Sequence, residues 1–336
     1  MLADIAPWLA CFPLIESVFQ HCRHQASIQH RRPVSKTKHN GKVLMIDSTF
    51  SGAEWTEHIS ESQTTFIRRT LCRSSLATST HVFALLLPKT AEGNKGCLRQ
   101  ILRYLSPEET ERAERLRHAV DRTRYVFGRG LLRCIAGAYM AHAPGSIEVM
   151  TTAHGKPMIA GASLSVNVSH SGRWVLAAAG EGTPMGVDVE LRDPSVDIRG
   201  VAGTVFSDWE NEALHACPEQ VRMDLFYEIW TRKEAVIKAD GRGIQFGLQR
   251  FDVEFRPGHT PCVRKIRHEK SGSGCSGDES GFDDPTILNL QPFALDAEYA
   301  ACLCYAGAQR SVQVHFVSPA SLFSGRRLLP LRRVRG

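Results

Sequence analysis

The sequence of 336 residues predicts an α+β fold made of two similar halves. Segments with the two-residue alternation of β-strands are interspersed with longer segments that have the period of an α-helix. The order strand, two helices, strands occurs once before about residue 185 and once after it. We therefore expect an N-terminal α+β half at residues 81–185 and a C-terminal α+β half at residues 186–317. No sequence repeat accompanies this similarity, which rests on element order alone.

The first half is predicted to begin with a buried strand that Pro88 closes. Ser106 can cap a helix, Pro107 suits the first helical position and Glu109 completes a capping box, so a helix is expected to start there. The predicted elements of this half are a strand at 82–87, helices at 106–118 and 121–143, and strands at 164–169 and 174–179.

The second half repeats these signals. Ser207 and Glu210 form another capping box, and Gly241 supplies a left-handed cap at the end of a long helix. The predicted elements are a strand at 186–191, a short helix from 207, a helix at 218–239, and strands at 251–255, 262–267, 299–305 and 312–317. A stretch at 269–284, rich in Gly, Ser and acidic residues, is expected to be a loop.

The two ends of the chain differ from the centre. Residues 1–80 have weak periodicity and many polar and basic residues, so they are predicted to be a poorly ordered extension. Residues 318–336 are predicted to be a basic tail. The net charge of +6 lies at these ends, since the last eleven residues hold five arginines and no acid. The central region is slightly acidic, so we expect no nucleic-acid platform.

Composition narrows the class further. The hydrophobic fraction of 43% and the charged fraction of 23% are those of a soluble globular protein. The ten cysteines include no CxxC pair, which argues against zinc-ribbon and thioredoxin-like sites and favours free thiols in a reducing compartment. No apolar run approaches the roughly 18–20 residues that span a bilayer. We therefore expect a cytoplasmic protein with no membrane partner.

Two carboxylates lie on one face of the strand predicted at 186–191. Asp188 and Glu190 are two residues apart, about 6.5 Å along a strand, while Val187 and Val189 face the core. Such a pair can bind a hard divalent cation through oxygen ligands. Taken alone, the pattern fits a solvated acidic strand edge better.

A second group of polar residues lies on the helix predicted at 218–239. Trp230, Glu234 and Lys238 are spaced four residues apart and therefore share one stripe of the helix. Glu234 can supply a third carboxylate or a general base, and Lys238 can contact a phosphate. In isolation, a surface ion pair explains the same spacing.

A third group combines a cation with small hydrogen-bond donors. Lys156 precedes a proline and is expected in an extended or turn conformation. Ser169 and His170 end a strand just before Gly172, which permits a close approach of a ligand. This group can bind a phosphate, although a turn histidine with its hydrogen bonds satisfied explains His170 better when it is taken alone.

Together these segments closely resemble the signature of the 4′-phosphopantetheinyl transferases of the surfactin-synthetase-activating type. The matching motifs, in order, are Gly-Lys-Pro at 155–157, Asn-Val-Ser-His-Ser-Gly at 167–172, Gly-Val-Asp-Val-Glu at 186–190, and Trp-Thr-Arg-Lys-Glu-Ala-Val-Ile-Lys at 230–238 before Gly-Arg-Gly at 241–243. The resemblance spans about residues 82–317. It implies a pseudo-twofold α+β fold with the active site between the halves.

The resemblance also implies roles for individual residues. Asp188, Glu190 and Glu234 would hold Mg²⁺, with Mn²⁺ as an alternative, together with the pyrophosphate of coenzyme A. Glu234 would also be the general base for the carrier serine, and Lys238 would stabilise phosphate charge. The residues implied to bind the nucleotide end of coenzyme A are Lys156, Ser169, His170, Arg112 and Arg124. The expected partners are coenzyme A and an apo carrier protein, and a monomer suffices because both halves belong to one chain.

Three alternatives remain open at this stage. Another Mg²⁺-dependent enzyme, such as a phosphohydrolase acting on coenzyme A or a nucleotide, would use the same carboxylates. A binding module without catalytic activity would act through its basic ends and would lose binding when residues 326–336 are removed. A family member that has lost activity would load no carrier.

Overall fold

The structure is a computed structural model that describes residue 76, residues 78–89, 91–266 and 287–319, and residue 322. Its helices are α1 (Ala91–Ile101), α2 (Pro107–Arg115), α3 (Ala119–Met140), α4 (Ile198–Val205), α5 (Asp208–Ala216) and α6 (Glu219–Asp240). Its strands are β1 (Ser79–Leu86), β2 (Val149–Thr151), β3 (Pro157–Ile159), β4 (Leu164–Ser171), β5 (Trp174–Glu181), β6 (Met185–Leu191), β7 (Phe251–Val253), β8 (Val263–Ile266), β9 (Leu288–Pro292), β10 (Tyr299–Ala306) and β11 (Ser311–Val317).

A four-stranded sheet forms the first half, in the order β11-β1-β5-β4. Strand β1 is antiparallel to β5 and parallel to β11. Helix α3 covers one face of this sheet, where Phe127 and Leu131 lie in one buried cluster with Phe83 and Val175. The apolar side that the sequence pattern predicted for this helix is therefore the side that packs on the sheet.

A three-stranded sheet forms the second half, in the order β6-β10-β9. Helix α6 covers its outer face and buries Phe226, Trp230 and Val236 against Cys302 and other residues of the cluster. The helix ends at Gly241, whose φ of 88° gives the left-handed cap expected from the sequence.

The inner faces of the two sheets share a third core. Val82 and Leu176 from the first sheet pack in one buried cluster with Val187, Val189 and Leu303 from the second sheet. The layers are thus helix, sheet, sheet and helix, and the α+β class predicted from the sequence is confirmed. None of the helices in the described ranges has both the length and the apolar character needed to span a membrane.

Several elements differ from the sequence prediction. Strand β11, assigned to the C-terminal half at 186–317, pairs with β1 of the first sheet instead. Sequence periodicity reports only which residues of β11 are buried and not which strand they pair with. Helix α2 ends at Arg115 rather than near residue 118. Two unpredicted helices, α1 and α4, each contain two glycines, which lower helix propensity.

The boundaries of the predicted extension and tail also change. Strand β1 begins at Ser79, and Leu76 is fully buried in the core of the first half, so the end of the predicted extension 1–80 is packed. On the other side, Leu322 is buried in the same core, so the tail predicted at 318–336 does not start at residue 318. Residues 1–75 and the loop predicted at 269–284 lie outside the described residues.

Candidate active site

The site begins where strand β4 of the first sheet lies beside strand β6 of the second sheet. Alternate residues of β4 point toward β6 because side chains two apart share one face of a strand. Asn167 accepts a hydrogen bond from the backbone N–H of Val187 at 2.8 Å. Ser171 accepts one from the backbone N–H of Leu191 at 3.0 Å. The motif at 167–172 therefore joins the two halves of the molecule.

Asp188 projects from β6 into this junction and is only 2% exposed. Its Oδ1 accepts hydrogen bonds from the Ser169 hydroxyl at 3.0 Å and from Lys238 Nζ at 2.6 Å. Lys238 Nζ also donates to Ser169 Oγ at 2.9 Å. The second oxygen, Oδ2, is buried and has no hydrogen-bond partner. One carboxylate oxygen therefore remains available to a ligand.

Glu190 lies two residues further along the same face of β6. The Ser171 hydroxyl donates to Oε2 at 2.9 Å, and Trp230 Nε1 donates to Oε1 at 3.4 Å. Burial, with the nearby charge of Asp188 as a second cause, raises the pKa of Glu190 well above its usual range. The carboxyl group is thus held by donors from both halves while its negative charge is disfavoured.

Helix α6 brings a third carboxylate and a cation to the same place. Burial, followed by the charge of Asp188, raises the pKa of Glu234. Burial alone would lower the pKa of Lys238, but the charges of Asp188 and Glu234 outweigh it and raise the pKa. Lys238 therefore stays charged and is the cation that partly neutralises the three carboxylates.

Gly186 makes this meeting of strand and helix geometrically feasible. A Cβ at residue 186 would collide with the backbone of α6 at Ala235 and Ala239 and would lie 2.7 Å from Cβ of Lys238. Only glycine allows the helix to pack so closely on β6. The Gly-Val-Asp-Val-Glu motif thus encodes both the two carboxylates and the space that the helix needs.

His170 and Arg124 lie at one edge of the carboxylate cluster. Burial, and then the charges of Arg124 and Lys238, lowers the pKa of His170 to about 4. Arg124 Nε donates to the carbonyl of Gly172 at 2.8 Å, and its guanidinium pairs with Asp121 at 2.9 Å. Arg124 and the His170 imidazole therefore lie close together at the C-terminal end of β4.

Lys156 and Arg112 lie in different parts of the structure. Lys156 Nζ donates to the carbonyl of Ala239 in the last turn of α6 at 2.7 Å, and burial lowers its pKa to about 8. It thus lies near the end of the helix that carries Lys238. Arg112 lies over the ring of Tyr125, 5.8 Å from its centroid, on the α2–α3 side of the first half.

The donor set fits a hard cation in its chemistry. Asp188 Oδ2 has no hydrogen bond, and the pKa values of Glu190 and Glu234 are raised first by burial and then by the charge of Asp188. A divalent ion would offset both effects by favouring the charged carboxylates. Within the described ranges, however, no group of three or more His, Cys, Asp or Glu side chains is arranged to hold a metal. Mg²⁺ commonly takes one or two carboxylates plus phosphate oxygens, so the set fits an ion that also binds a phosphate ligand.

Sequence reasoning did not single out Asn167 or Ser171. Both lie on the face of β4 that carries Ser169. The alternation of the strand predicted at 164–169 includes Asn167, whereas Ser171 lies beyond the predicted end. What was missing was the position of β6 beside this face. Trp230 was placed on the stripe with Glu234, but its hydrogen bond to Glu190 was not predicted.

Comparison with known proteins identifies the family. Residues 184–304 match the family model described as "4'-phosphopantetheinyl transferase superfamily", and residues 92–182 match the one described as "4'-phosphopantetheinyl transferase, N-terminal". Each of the two halves that contribute residues to the site is thus matched by one of the two models.

Individual relatives agree with the family models. The 4'-phosphopantetheinyl transferase Sfp of Bacillus subtilis is 32% identical over 207 residues, which cover 57% of this chain and 91% of that protein. The transferase HetI of Nostoc sp. is 33% identical and psf-1 of Bacillus pumilus is 29% identical, with 48% and 66% of this chain and 69% and 88% of the relative covered. The chain therefore belongs to the 4′-phosphopantetheinyl transferase superfamily and is of the Sfp type.

Proposed function

We propose that this chain transfers the 4′-phosphopantetheine group of coenzyme A to a serine hydroxyl of an apo acyl, peptidyl or polyketide carrier protein and releases 3′,5′-ADP. The main supporting observation is that Asp188, Glu190, Glu234 and Lys238 meet between the two halves of the molecule. The relatives compared above are all described as 4′-phosphopantetheinyl transferases, so a phosphohydrolase finds no support among them.

The proposal includes Mg²⁺, with Mn²⁺ as an alternative, bound by Asp188 Oδ2, Glu190 and Glu234. When bound with the pyrophosphate of coenzyme A, the ion would neutralise the charge of the phosphates and orient them. The chain contributes buried carboxylates whose mutual repulsion favours binding of a cation. Ser169 and Lys238 hold the other oxygen of Asp188, which leaves Oδ2 directed away from them.

In the reaction, Glu234 accepts the proton of the carrier serine directly or through a water molecule. The serine oxygen forms a bond to the phosphorus atom that carries pantetheine, and the bond from this phosphorus to the bridging oxygen breaks. The bridging oxygen leaves on 3′,5′-ADP. Lys238 stabilises the negative charge that develops on the phosphates, which is the dominant requirement of phosphoryl transfer.

The nucleotide end of coenzyme A is assigned to the cations beside the carboxylates. His170, Arg124 and Lys156 are candidates for its phosphates, because a phosphate beside His170 would favour the protonated imidazole that burial now disfavours. Ser169 is buried against Asp188, so we propose that it contributes mainly by holding that carboxylate. Arg112 remains a candidate on the resemblance alone.

We further propose an oligomeric state and a cellular location for the protein. Residues from both halves of one chain complete the site, so we propose that a monomer is active. We also propose that the protein acts in the cytoplasm, where coenzyme A and carrier proteins are expected. An acidic carrier would be attracted to cations such as Arg124 near the site.

The proposal is tested by intact-protein mass spectrometry of a panel of apo carriers incubated with the chain, coenzyme A and Mg²⁺. A carrier that is a substrate gains the mass of one phosphopantetheine. We expect Glu234→Ala to lower the rate by about 10²–10⁴, and EDTA to abolish loading. Glu212→Ala, at an exposed glutamate of α5, is the matched control and should load normally.

Two of the alternatives have their own outcomes in this assay. Cleavage of coenzyme A without a mass gain on any carrier would support the phosphohydrolase. No reaction with any carrier would support a family member that has lost activity. Loading that persists after replacement of Glu234 would show that this residue is not the base.

A further inference from the structure

Glu190 is held at both carboxylate oxygens, and the shorter of the two hydrogen bonds comes from the other half of the molecule. Ser171 Oγ donates to Oε2 at 2.9 Å, whereas Trp230 Nε1 donates to Oε1 at 3.4 Å. The Ser171 hydroxyl has its single proton on Glu190, and its oxygen accepts the N–H of Leu191 at 3.0 Å. These two hydrogen bonds together fix the orientation of the hydroxyl group.

The backbone around Ser171 is fixed by contacts from two further elements. Gly172, with φ of 53°, forms the turn between β4 and β5, and Arg124 of α3 donates to its carbonyl at 2.8 Å. The N–H of Arg173 donates to the hydroxyl of Tyr299 in β10 at 2.9 Å. A Cβ at residue 172 would collide with that hydroxyl. Ser171 is therefore a rigid donor and not a mobile surface serine.

We propose that Ser171 is a positioning residue that holds the Glu190 carboxylate in the orientation needed for a divalent cation. This inference rests on the proposed function, in which Glu190 is a ligand of the ion. Ser171 does not contact the ion itself. Groups that hydrogen-bond to metal-binding carboxylates orient them, and their removal commonly costs about 10–100-fold in metal affinity or activity.

The test is a titration of the full-length chain with Mn²⁺ in the presence of coenzyme A and without carrier. Free Mn²⁺ is measured by electron paramagnetic resonance, and coenzyme A alone is the blank. We expect Ser171→Ala to weaken Mn²⁺ binding by about tenfold. Ser171→Thr keeps the hydroxyl and should bind as the unmodified chain does. Ser165→Ala, on the same face of β4 but beyond Asn167, is the matched control and should change nothing.

A double-substitution cycle separates positioning from a general structural effect. If Ser171 acts through Glu190, Ser171→Ala should have no further effect on Mn²⁺ binding in a Glu190→Gln background. The same tenfold loss in that background would overturn the inference. Unchanged affinity in a folded Ser171→Ala variant would overturn it as well.

Loss of the acceptor for the Leu191 N–H will itself reduce stability. The folded fraction is therefore measured by circular dichroism at the same temperature. If Ser171→Ala does not fold, Ser171→Cys takes its place, since a thiol has a similar shape but is a weak donor. We expect Ser171→Cys to weaken Mn²⁺ binding by about tenfold as well. Unchanged Mn²⁺ affinity in this variant contradicts the inference. An unmodified chain that binds no Mn²⁺ and loads no carrier overturns the proposed function as well, whereas normal loading with an unaffected Ser171→Ala variant overturns only the inference.

Discussion

At the scale of single residues, the site depends on which side chains are small as well as on which are charged. Gly186 lies under the last turns of α6, where a Cβ would meet the backbone at Ala235 and Ala239. Because the helix comes this close, Lys238 Nζ reaches Asp188 Oδ1 at 2.6 Å. The absence of one methyl group therefore sets the distance between the strand carboxylates and the helix.

Gly186→Ala tests this dependence on packing. We expect the free energy of unfolding to fall by about 1–3 kcal/mol, because the added methyl overpacks a buried contact, and carrier loading to fall with it as α6 moves from β6. Urea unfolding followed by circular dichroism measures the stability. Gly203→Ala in α4, where an added Cβ meets nothing within 4 Å, is the matched control and should be neutral or stabilising. A Gly186→Ala variant as stable as the control would contradict the close approach.

At the scale of elements, the two halves use the same device to join a short helix to a long one. Glu109, at the third position of α2, completes the capping box with Ser106 and pairs with Arg129 and Arg133 of α3. In the second half, Glu210 of α5 completes a capping box and pairs with Lys233 of α6 at 2.8 Å. Each acid thus caps its own helix and binds the next one.

This pairing explains the presence of Lys233 in the motif at 230–238. Lys233 is fully buried and donates at 2.7 Å to the carbonyls of both Leu248 and Phe251. It is a structural cation, whereas Lys238 one turn later faces the carboxylates of the site. The stripe predicted from the sequence contains Lys238 but not Lys233.

Lys233→Met should destabilise the protein by about 3–5 kcal/mol, because it leaves the Glu210 carboxylate buried without its cation. Thermal unfolding measures the loss. The double variant Glu210→Gln with Lys233→Met should be more stable than Lys233→Met alone, since the uncompensated charge is gone. A single variant with unfolding unchanged from that of the original chain would show that the pair contributes little.

Strands β1 and β11 are linked by a buried histidine pair. His81 Nδ1 and His315 Nε2 are 3.0 Å apart, and His315 stacks on Phe83. Burial lowers the pKa of His81 to about 4, and burial together with the charge of His81 lowers the pKa of His315 to about 3. Both imidazoles are therefore neutral in the folded protein at neutral pH.

The pair predicts acid sensitivity. Unfolded histidines take up protons near pH 6.5, well before the folded pair does, so the free energy of unfolding falls as pH drops from about 6.5 to about 4. At about pH 5 the loss is on the order of 2 kcal/mol for each histidine. Urea unfolding across this range measures it. Replacement of both histidines by phenylalanine should flatten the pH dependence, and an equally steep dependence in that variant would contradict the assignment.

At the scale of the whole molecule, the two sheets repeat one pattern of pairing. The first strand of each half pairs with the fifth, and the fifth pairs with the fourth, as β1-β5-β4 and as β6-β10-β9. Strand β11 then returns to pair with β1. The halves meet through β4 and β6, and the candidate site lies at that junction.

The sequence predicted most of these elements but not their arrangement. Capping residues located α2 and α5 because such signals are local, and alternation located β4. Pairing of β11 with β1 joins positions more than 200 residues apart, which no local pattern reports. Strand β9 was missed because it is short and ends in a proline.

The site also combines features that local sequence patterns predicted with features that required the structure. Strand periodicity placed Asp188 and Glu190 on one face, and helix periodicity placed Glu234 and Lys238 on one stripe, but spacing alone left a solvated strand edge as the better explanation. The joint resemblance of the motifs to a known family made the meeting of these groups an expectation. The roles of Asn167 and Ser171 required the position of β6 beside β4, which only the structure supplies.

We propose that a strand and a helix from the second half, held by β4 of the first, form a site for a divalent cation and a pyrophosphate. The most direct measurement is anomalous diffraction from a crystal grown with coenzyme A and Mn²⁺. We predict a single strong manganese peak within about 2–2.5 Å of oxygens from Asp188 and at least one of Glu190 and Glu234, and of the pyrophosphate. A manganese ion bound to coenzyme A away from all three carboxylates would contradict the account.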